Sequence, residues 1–360
     1  AMAAIHVPTL LLLYGLMIVS AQLRLGGFYT WLALKITRWI DQPRRFLLLL
    51  MLTSGILAAI LANDIICLAF TPVLCVALRK RQLNPLPFLL GLAMATNLGS
   101  AATLIGNPQS MLIAQVFGLE FAAFVRWCAP PALLGLFAAY GVLLLCFRNR
   151  WADPAPPRAL AEPDWPAFHP WQSGKGLAAV AVVMTLFLLN QPRVLSVLTV
   201  AGALLLSRRM HTRPMLALVD WHLLTLFCGL FVVVKALTLS GIPGAAVQAL
   251  AAGNVSFENP YTLSVLALLF SNLVSNVPAT LLLLEPLREA APETAYVLSL
   301  SATFAGNLFL VGSLANFIVL EQAKPYGVEI RFRDYARAGL PVTLVNFAIL
   351  FAWIRLQSSV

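Results

Sequence analysis

Hydroxyl and amide side chains crowd one otherwise apolar stretch of this chain, Thr96-Asn97-Leu98-Gly99-Ser100-Ala101-Ala102-Thr103-Leu104-Ile105-Gly106-Asn107-Pro108-Gln109-Ser110. Ser100, Thr103 and the carbonyls around Gly99 offer oxygen ligands of the kind hard cations take. Two glycines and a proline break any helix through the stretch. The apolar flanks, residues 87–94 and 111–117, are each too short to cross a bilayer, which takes about 20 residues. Together they suffice if the crossing has an unwound middle. Backbone freed from a helix at membrane depth is tolerated only inside protein or beside a water-filled cavity. Half-helix ends then aim their dipoles at that cavity, which is how transporters bind ions and anions. A soluble phosphate loop would need a Lys after the second glycine and a strand before the first, and neither is present.

Asp64 is the one carboxylate that the apolar pattern places at mid-membrane, where a charge costs on the order of several kcal/mol unless paired, hydrated or protonated. It reads as a proton or cation carrier, or as a cap on the helix that begins at Ile65. Its neighbour Asn63 and the similarly placed Ser275 and Asn276 supply donors and acceptors for an ion or substrate. Asn97, Gly99, Ser100, Thr103 and Asn107 in the first break, and Gly306, Asn307 and Asn316 in a second, complete the candidate set with Thr280. A sodium ion would sit near Asn63, Gly99 and Ser100. Lys235 either snorkels outward from the end of its span or turns inward to attract anions. Cys67 reads as a packed thiol or a thiophilic ligand. No His cluster, Ser-His-Asp set or paired catalytic carboxylates fall in one place, so the reading is not an enzyme and needs no resident cofactor or metal.

These elements belong in a membrane. The chain has 360 residues, 60% hydrophobic and only 11% charged, against about 25% charged in soluble domains. Its mean hydropathy is +0.86. No segment alternates as a membrane β-strand would. The net charge of +10 sits in short clusters between apolar runs, such as Arg44-Arg45, Arg79-Lys80-Arg81 and Arg208-Arg209. Such clusters report cytoplasmic loops rather than a nucleic-acid partner. The odd, scattered cysteines read as reduced core residues. Residues 10–22 are followed by no small-residue cleavage pattern, so they read as a span rather than a cleavable signal.

Basic clusters at both ends of residues 46–78 put both ends on one side, which predicts a re-entrant hairpin with Asn63-Asp64 at its tip. The order of elements then repeats. Leu12-Leu13-Tyr14-Gly15-Leu16 answers Leu226-Phe227-Cys228-Gly229-Leu230, residues 261–287 answer the hairpin, and Gly312-Ser313-Leu314-Ala315-Asn316 answers Gly106-Asn107-Pro108-Gln109-Ser110. The expected architecture is an all-α polytopic membrane protein of two inverted-topology repeats, each with a re-entrant hairpin and a broken transmembrane helix. Residues 1–147 form the first repeat: a span, an interfacial helix, hairpin 46–78, broken helix 87–117 and span 121–147. Residues 148–217 form a cytoplasmic Pro-rich linker with two connecting helices. Residues 218–360 form the second repeat: a span, hairpin 261–287, broken helix 294–323 and a final span. The hairpin tips and helix breaks, including Asn63, Asn276, Gly99 and Gly306, should then surround a common central cavity.

Leu61-Ala62-Asn63-Asp64, Thr71-Pro72, Ala102-Thr103-Leu104-Ile105-Gly106-Asn107-Pro108-Gln109 and Ser275-Asn276-Val277-Pro278-Ala279-Thr280 resemble the ion transporter superfamily, in its arsenite permease and citrate-type permease branch. Asp220-Trp221-His222-Leu223-Leu224 adds to the likeness, which covers nearly the whole chain. An Asn-Asp first tip looks more like the arsenite permeases, which couple export to protons, than the divalent anion–sodium symporters, which carry Ser-Asn-Thr at both tips. The resemblance implies an ion-coupled secondary transporter of the bacterial inner membrane that moves a small anion or oxyacid, of the arsenite or carboxylate class, by alternating access. The coupling ion would be H+ or Na+, with Asp64 the proton carrier, and a homodimer is an admissible assembly in the lipid bilayer. A sodium–proton antiporter is the alternative, and a channel is the reading different in kind.

Overall fold

The protein is described by a computed structural model that covers residues 4–152, 165–206, 212–241, 257–287 and 290–358. The Arg208-Arg209 cluster and most of the Pro-rich linker lie outside the described residues. Among the described residues the chain is helical, with no strand beyond one isolated bridge between Leu83 and Ala152. Six helices among the described residues are long and apolar enough to cross a membrane.

The first part runs through α1 (Val7–Leu25), α2 (Phe28–Ile36), α3 (Pro43–Ile60), α4 (Asn63–Lys80), α5 (Leu86–Ser100), α6 (Pro108–Val116) and α7 (Phe121–Cys146). Then come α8 (Pro170–Leu188), α9 (Arg193–Leu205), α10 (Thr212–Ala217) and α11 (Trp221–Leu239). The last part comprises α12 (Pro260–Val274), α13 (Asn276–Leu284), α14 (Pro292–Ala305), α15 (Leu314–Ala323) and α16 (Phe332–Gln357). Prolines start α1, α3, α5, α6, α8, α12 and α14 within their first turn, where a missing N–H costs nothing. Pro72 sits inside α4, where it removes one helical donor. Beside it, Thr71 Oγ1 donates to the Cys67 carbonyl at 2.7 Å.

Two helices form the centre. Every residue of α5 from Pro87 to Leu98 is buried, as is every residue of α14 from Thr294 to Ala305. A helix apolar all round belongs in a core, not at a face. Around them α3 packs on α5, and α12 packs on α14. The short half-helices cross over: α6 lies against α13, and α15 lies against α4. The long helices α7 and α16 pack on each other, while α1 is flanked by α8 and α9.

One boundary differs from the apolar pattern. Hydropathy starts the first connecting helix near residue 177, but α8 begins at Pro170. Its polar first turns are held by tertiary bonds. Ser173 Oγ donates to the Gly26 carbonyl at 2.9 Å, and Gln22 Nε2 donates to the Gln172 carbonyl at 3.0 Å.

Candidate functional site

Two helix interruptions position the polar residues. Between α5 and α6 the helix lapses over residues 101–107, and between α14 and α15 it lapses to a 3-10 turn at Leu310–Gly312. At the first lapse Asn107 adopts extended backbone and caps α6, accepting from the Ser110 N–H at 2.8 Å. Its amide nitrogen donates back to Ser100 Oγ at 3.1 Å. Thr103 Oγ1 donates to the Ala59 carbonyl of α3. Thr103 and Ser100, the expected cation ligands, thus donate their hydroxyl hydrogens to backbone carbonyls, which fixes where their oxygens stand.

The two interruptions meet through a buried amide seam. Asn97 Nδ2 donates to Asn307 Oδ1 at 3.0 Å and to Asn316 Oδ1 at 3.2 Å, while Asn97 Oδ1 accepts from Ser313 Oγ at 2.9 Å. Asn316 Nδ2 in turn donates to the Gly306 carbonyl at 2.8 Å, satisfying backbone freed by the second lapse. Beside this run Asn107 Nδ2 and Gln109 Nε2 reach Thr303 Oγ1 at 3.4 and 3.3 Å, and the Ser110 and Ser299 hydroxyls bond at 2.8 Å. In a low-dielectric interior such a network holds its members rigidly, because each broken link strands a buried polar group. Asn307 keeps one amide nitrogen without a partner among the described residues.

The helix turns preceding α4 and α13 flank the seam. Two extended residues, Leu61 and Ala62, separate α3 from α4, and the Asn63 N–H reaches the Gly106 carbonyl at 3.3 Å. Asn63 is buried, and its Oδ1 has no partner among the described residues. In the expected sodium neighbourhood Ser100 Oγ donates to the Asn97 carbonyl at 2.8 Å and Gly99 packs on Gly55. Ser275 joins α12 to α13 at φ +74° and ψ 159°, a region that costs a side-chain-bearing residue about 1–3 kcal/mol. Asn276 is buried one residue on, and Thr280 Oγ1 donates to its carbonyl at 2.8 Å.

Asp64 lies apart from the seam. Ala62 occupies the cap position of α4 and no side chain caps that helix, so Asp64 sits within the first turn rather than capping it. The carboxylate lines an enclosed cavity of about 40 Å³ shared with Met17 of α1, Pro108 and Met111 of α6, and Asp220. Asp220 caps α11, accepting from the Leu223 N–H at 2.8 Å. Asn63, Gly99, Asn276 and Gly306 do not line this cavity. Cys67 is fully buried against Thr96, Sγ to Oγ1 3.2 Å, as a packed thiol. Among the described residues no three His, Cys, Asp or Glu side chains gather as a metal centre.

Thr303, Gln109 and Ser313 belong to the seam but were not singled out from sequence. Thr303 lies one helical turn before Asn307, so helical period alone could have flagged it. Asp220 was visible only as part of a motif, with nothing local to place it beside Asp64.

The citrate transporter family model matches residues 1–305. The 46 kDa membrane protein of Mycobacterium leprae is 30% identical over 96% of this chain and 85% of its own length. The silicon efflux transporter LSI3 of Oryza sativa is 29% identical over 97% of this chain and 86% of its own. The inner membrane protein YbiR of Escherichia coli is 30% identical over 93% and 84%.

Proposed function

The chain belongs to the citrate transporter family, and from that premise we propose an ion-coupled secondary transporter that moves a small anion or oxyacid, of the arsenite or carboxylate class, by alternating access. It is a transporter rather than an enzyme, and a multi-pass inner-membrane protein. The observation that carries the proposal is the pair of interrupted helices joined by the Asn97, Asn307 and Asn316 amides. Unwound backbone at membrane depth is how transporters expose carbonyls and helix ends to ions. The crossing of α6 onto α13 and of α15 onto α4 supports two inverted repeats. In that reading α3–α4 and α12–α13 are re-entrant hairpins, with tips at Asn63 and Asn276. One relative is named for silicon efflux and the family for citrate, which supports a small oxygen-rich substrate.

In this scheme Asp64 carries the coupling proton. Its support is the cavity that Asp64 shares with Asp220 against Pro108 and Met111 of the interrupted helix, and moving charge through a low-dielectric core requires a titrating partner. The seam holds the interrupted helices in register, and the uncommitted Asn63 Oδ1 faces the moving ion or substrate. Reconstituted into proteoliposomes, the protein should move arsenite against its gradient when a pH gradient is imposed. Asp64→Asn should fold and insert normally yet lose that flux, with a flattened dependence of transport on pH. Exchange at equal pH should survive, because it moves no net proton. Concentrative transport by the Asn variant under a proton gradient alone would end the coupling role. Sodium-driven proton movement without arsenite would favour the antiporter reading.

A further inference from the structure

Lys235 lies near the end of α11, a helix long and apolar enough to span the membrane. A lysine so placed either snorkels to the interface or marks an ion or substrate path. Lys235 lines a partly enclosed cavity of about 90 Å³ with Thr238, one turn further along α11, with His6 before α1, and with Glu285 after α13. Glu285, on the same wall, is engaged in a polar contact of its own. The remaining wall includes Leu112 of α6 and Leu281 of α13.

That wall locates the cavity. Helix α6 starts at the first interruption and α13 starts at the Asn276 tip, so a cavity against their later turns stands at the far end of the two elements that leave the candidate site. The basic clusters that mark the cytoplasm lie at other helix ends, which puts this mouth on the outer face. We propose that the cavity is the outer vestibule of the transport path and takes a small oxyanion or oxyacid, with Lys235 drawing it in and Thr238 hydrogen-bonding it. The volume suits a solute of a few heavy atoms. A lysine at the mouth of a low-dielectric cleft raises the local concentration of anions. This rests on the transporter reading for its purpose but not for its test.

The test uses the full-length protein in right-side-out vesicles, with the two cysteines that are not buried replaced by Cys146→Ser and Cys228→Ser, and Thr238→Cys added. Membrane-impermeant methanethiosulfonates, one anionic and one cationic, are applied from outside. The anionic-to-cationic rate ratio should fall about threefold to tenfold when Lys235→Gln is introduced, and further with Lys235→Glu. A lysine that only snorkels to the interface would leave the ratio unchanged, which overturns the proposal, as would a Thr238→Cys that labels only from the cytoplasmic side. Labelling should also stop arsenite flux, and labelled protein that transports at the unlabelled rate counts against a vestibule. The charge ratio needs no transport, so protein that carries no arsenite would sink the substrate reading and leave the vestibule to be decided by the ratio. Adding Asp64→Asn should leave the ratio intact, which separates the vestibule from proton coupling.

Discussion

The two helix interruptions are built differently. At the first, backbone meets backbone: a Cβ on Gly99 would overlap the Gly55 carbonyl of α3, and one on Gly106 would overlap the Ser100 carbonyl and lie 2.7 Å from that of Ala58. At the second, side chains join a backbone contact in which a Cβ on Gly339 of α16 would overlap the Asn307 and Leu308 carbonyls. Asn272 Nδ2 donates to the Ala305 carbonyl at 3.1 Å, and its Oδ1 faces Gly312. A Cβ on Gly306 would come no closer than 3.1 Å to its neighbours. The preceding turns differ in the same sense. Leu61 and Ala62 take ordinary extended backbone, whereas Ser275 is held at positive φ. Both junctions have a glycine packed on backbone, Gly99 on α3 at the first and Gly339 of α16 on the Asn307 and Leu308 carbonyls at the second, and the second adds side-chain amides beside a strained turn. Strain that persists at a tip is retained where the surroundings over-determine it, commonly where a conformation must change.

The contrast can be broken most sharply at Gly99. Gly99→Ala must push α5 away from α3, and overpacking against backbone should cost more than about 3 kcal/mol. Expression in folded form should collapse, as read by size-exclusion chromatography and thermal unfolding in detergent. A well-folded Gly99→Ala protein would mean that the first junction is no more rigid than the second.

A smaller effect of opposite sign is expected at Ser275. Ser275→Gly relieves the positive φ but frees the unfolded chain, for a net stabilisation of about 1 kcal/mol. If the strain serves the transport cycle, the melting temperature rises while the arsenite flux falls. Unchanged flux with raised stability would make the strain incidental. The smallest change belongs to Gly306→Ala, where neighbours need yield only a few tenths of an ångström and the cost should stay below about 1.5 kcal/mol. A loss comparable to that at Gly99 would erase the distinction between the junctions.

Much of this was legible in residue order, and what was legible is local. Gly106 and Pro108 disfavour a helix interior wherever they fall, through the backbone entropy glycine loses and the N–H proline lacks, whereas Gly99 stays within the last turn of α5. The lapse at residues 101–107, the Asn107 cap on α6 and the Asp220 cap on α11 follow from such short-range rules. Charge sparsity and basic clusters likewise sufficed to place the chain in a membrane.

What only the tertiary structure decided is which distant groups meet. Asn97 could have faced a cavity, an ion or either interruption. Its bonds to Asn307, Asn316 and Ser313 depend on the rotation of α5 against α14 and α15, which no local pattern encodes. The same holds for Asp64, which opens onto a small cavity with Asp220 rather than onto the amides. Hydrophobic period was no guide here, because α5 and α14 are buried on every side and present no unique face. Sequence by itself determined where this backbone must unwind, through the conformational limits of single residues. Helix packing determined what the unwound backbone and its amides touch, since that depends on the mutual phase of helices more than two hundred residues apart.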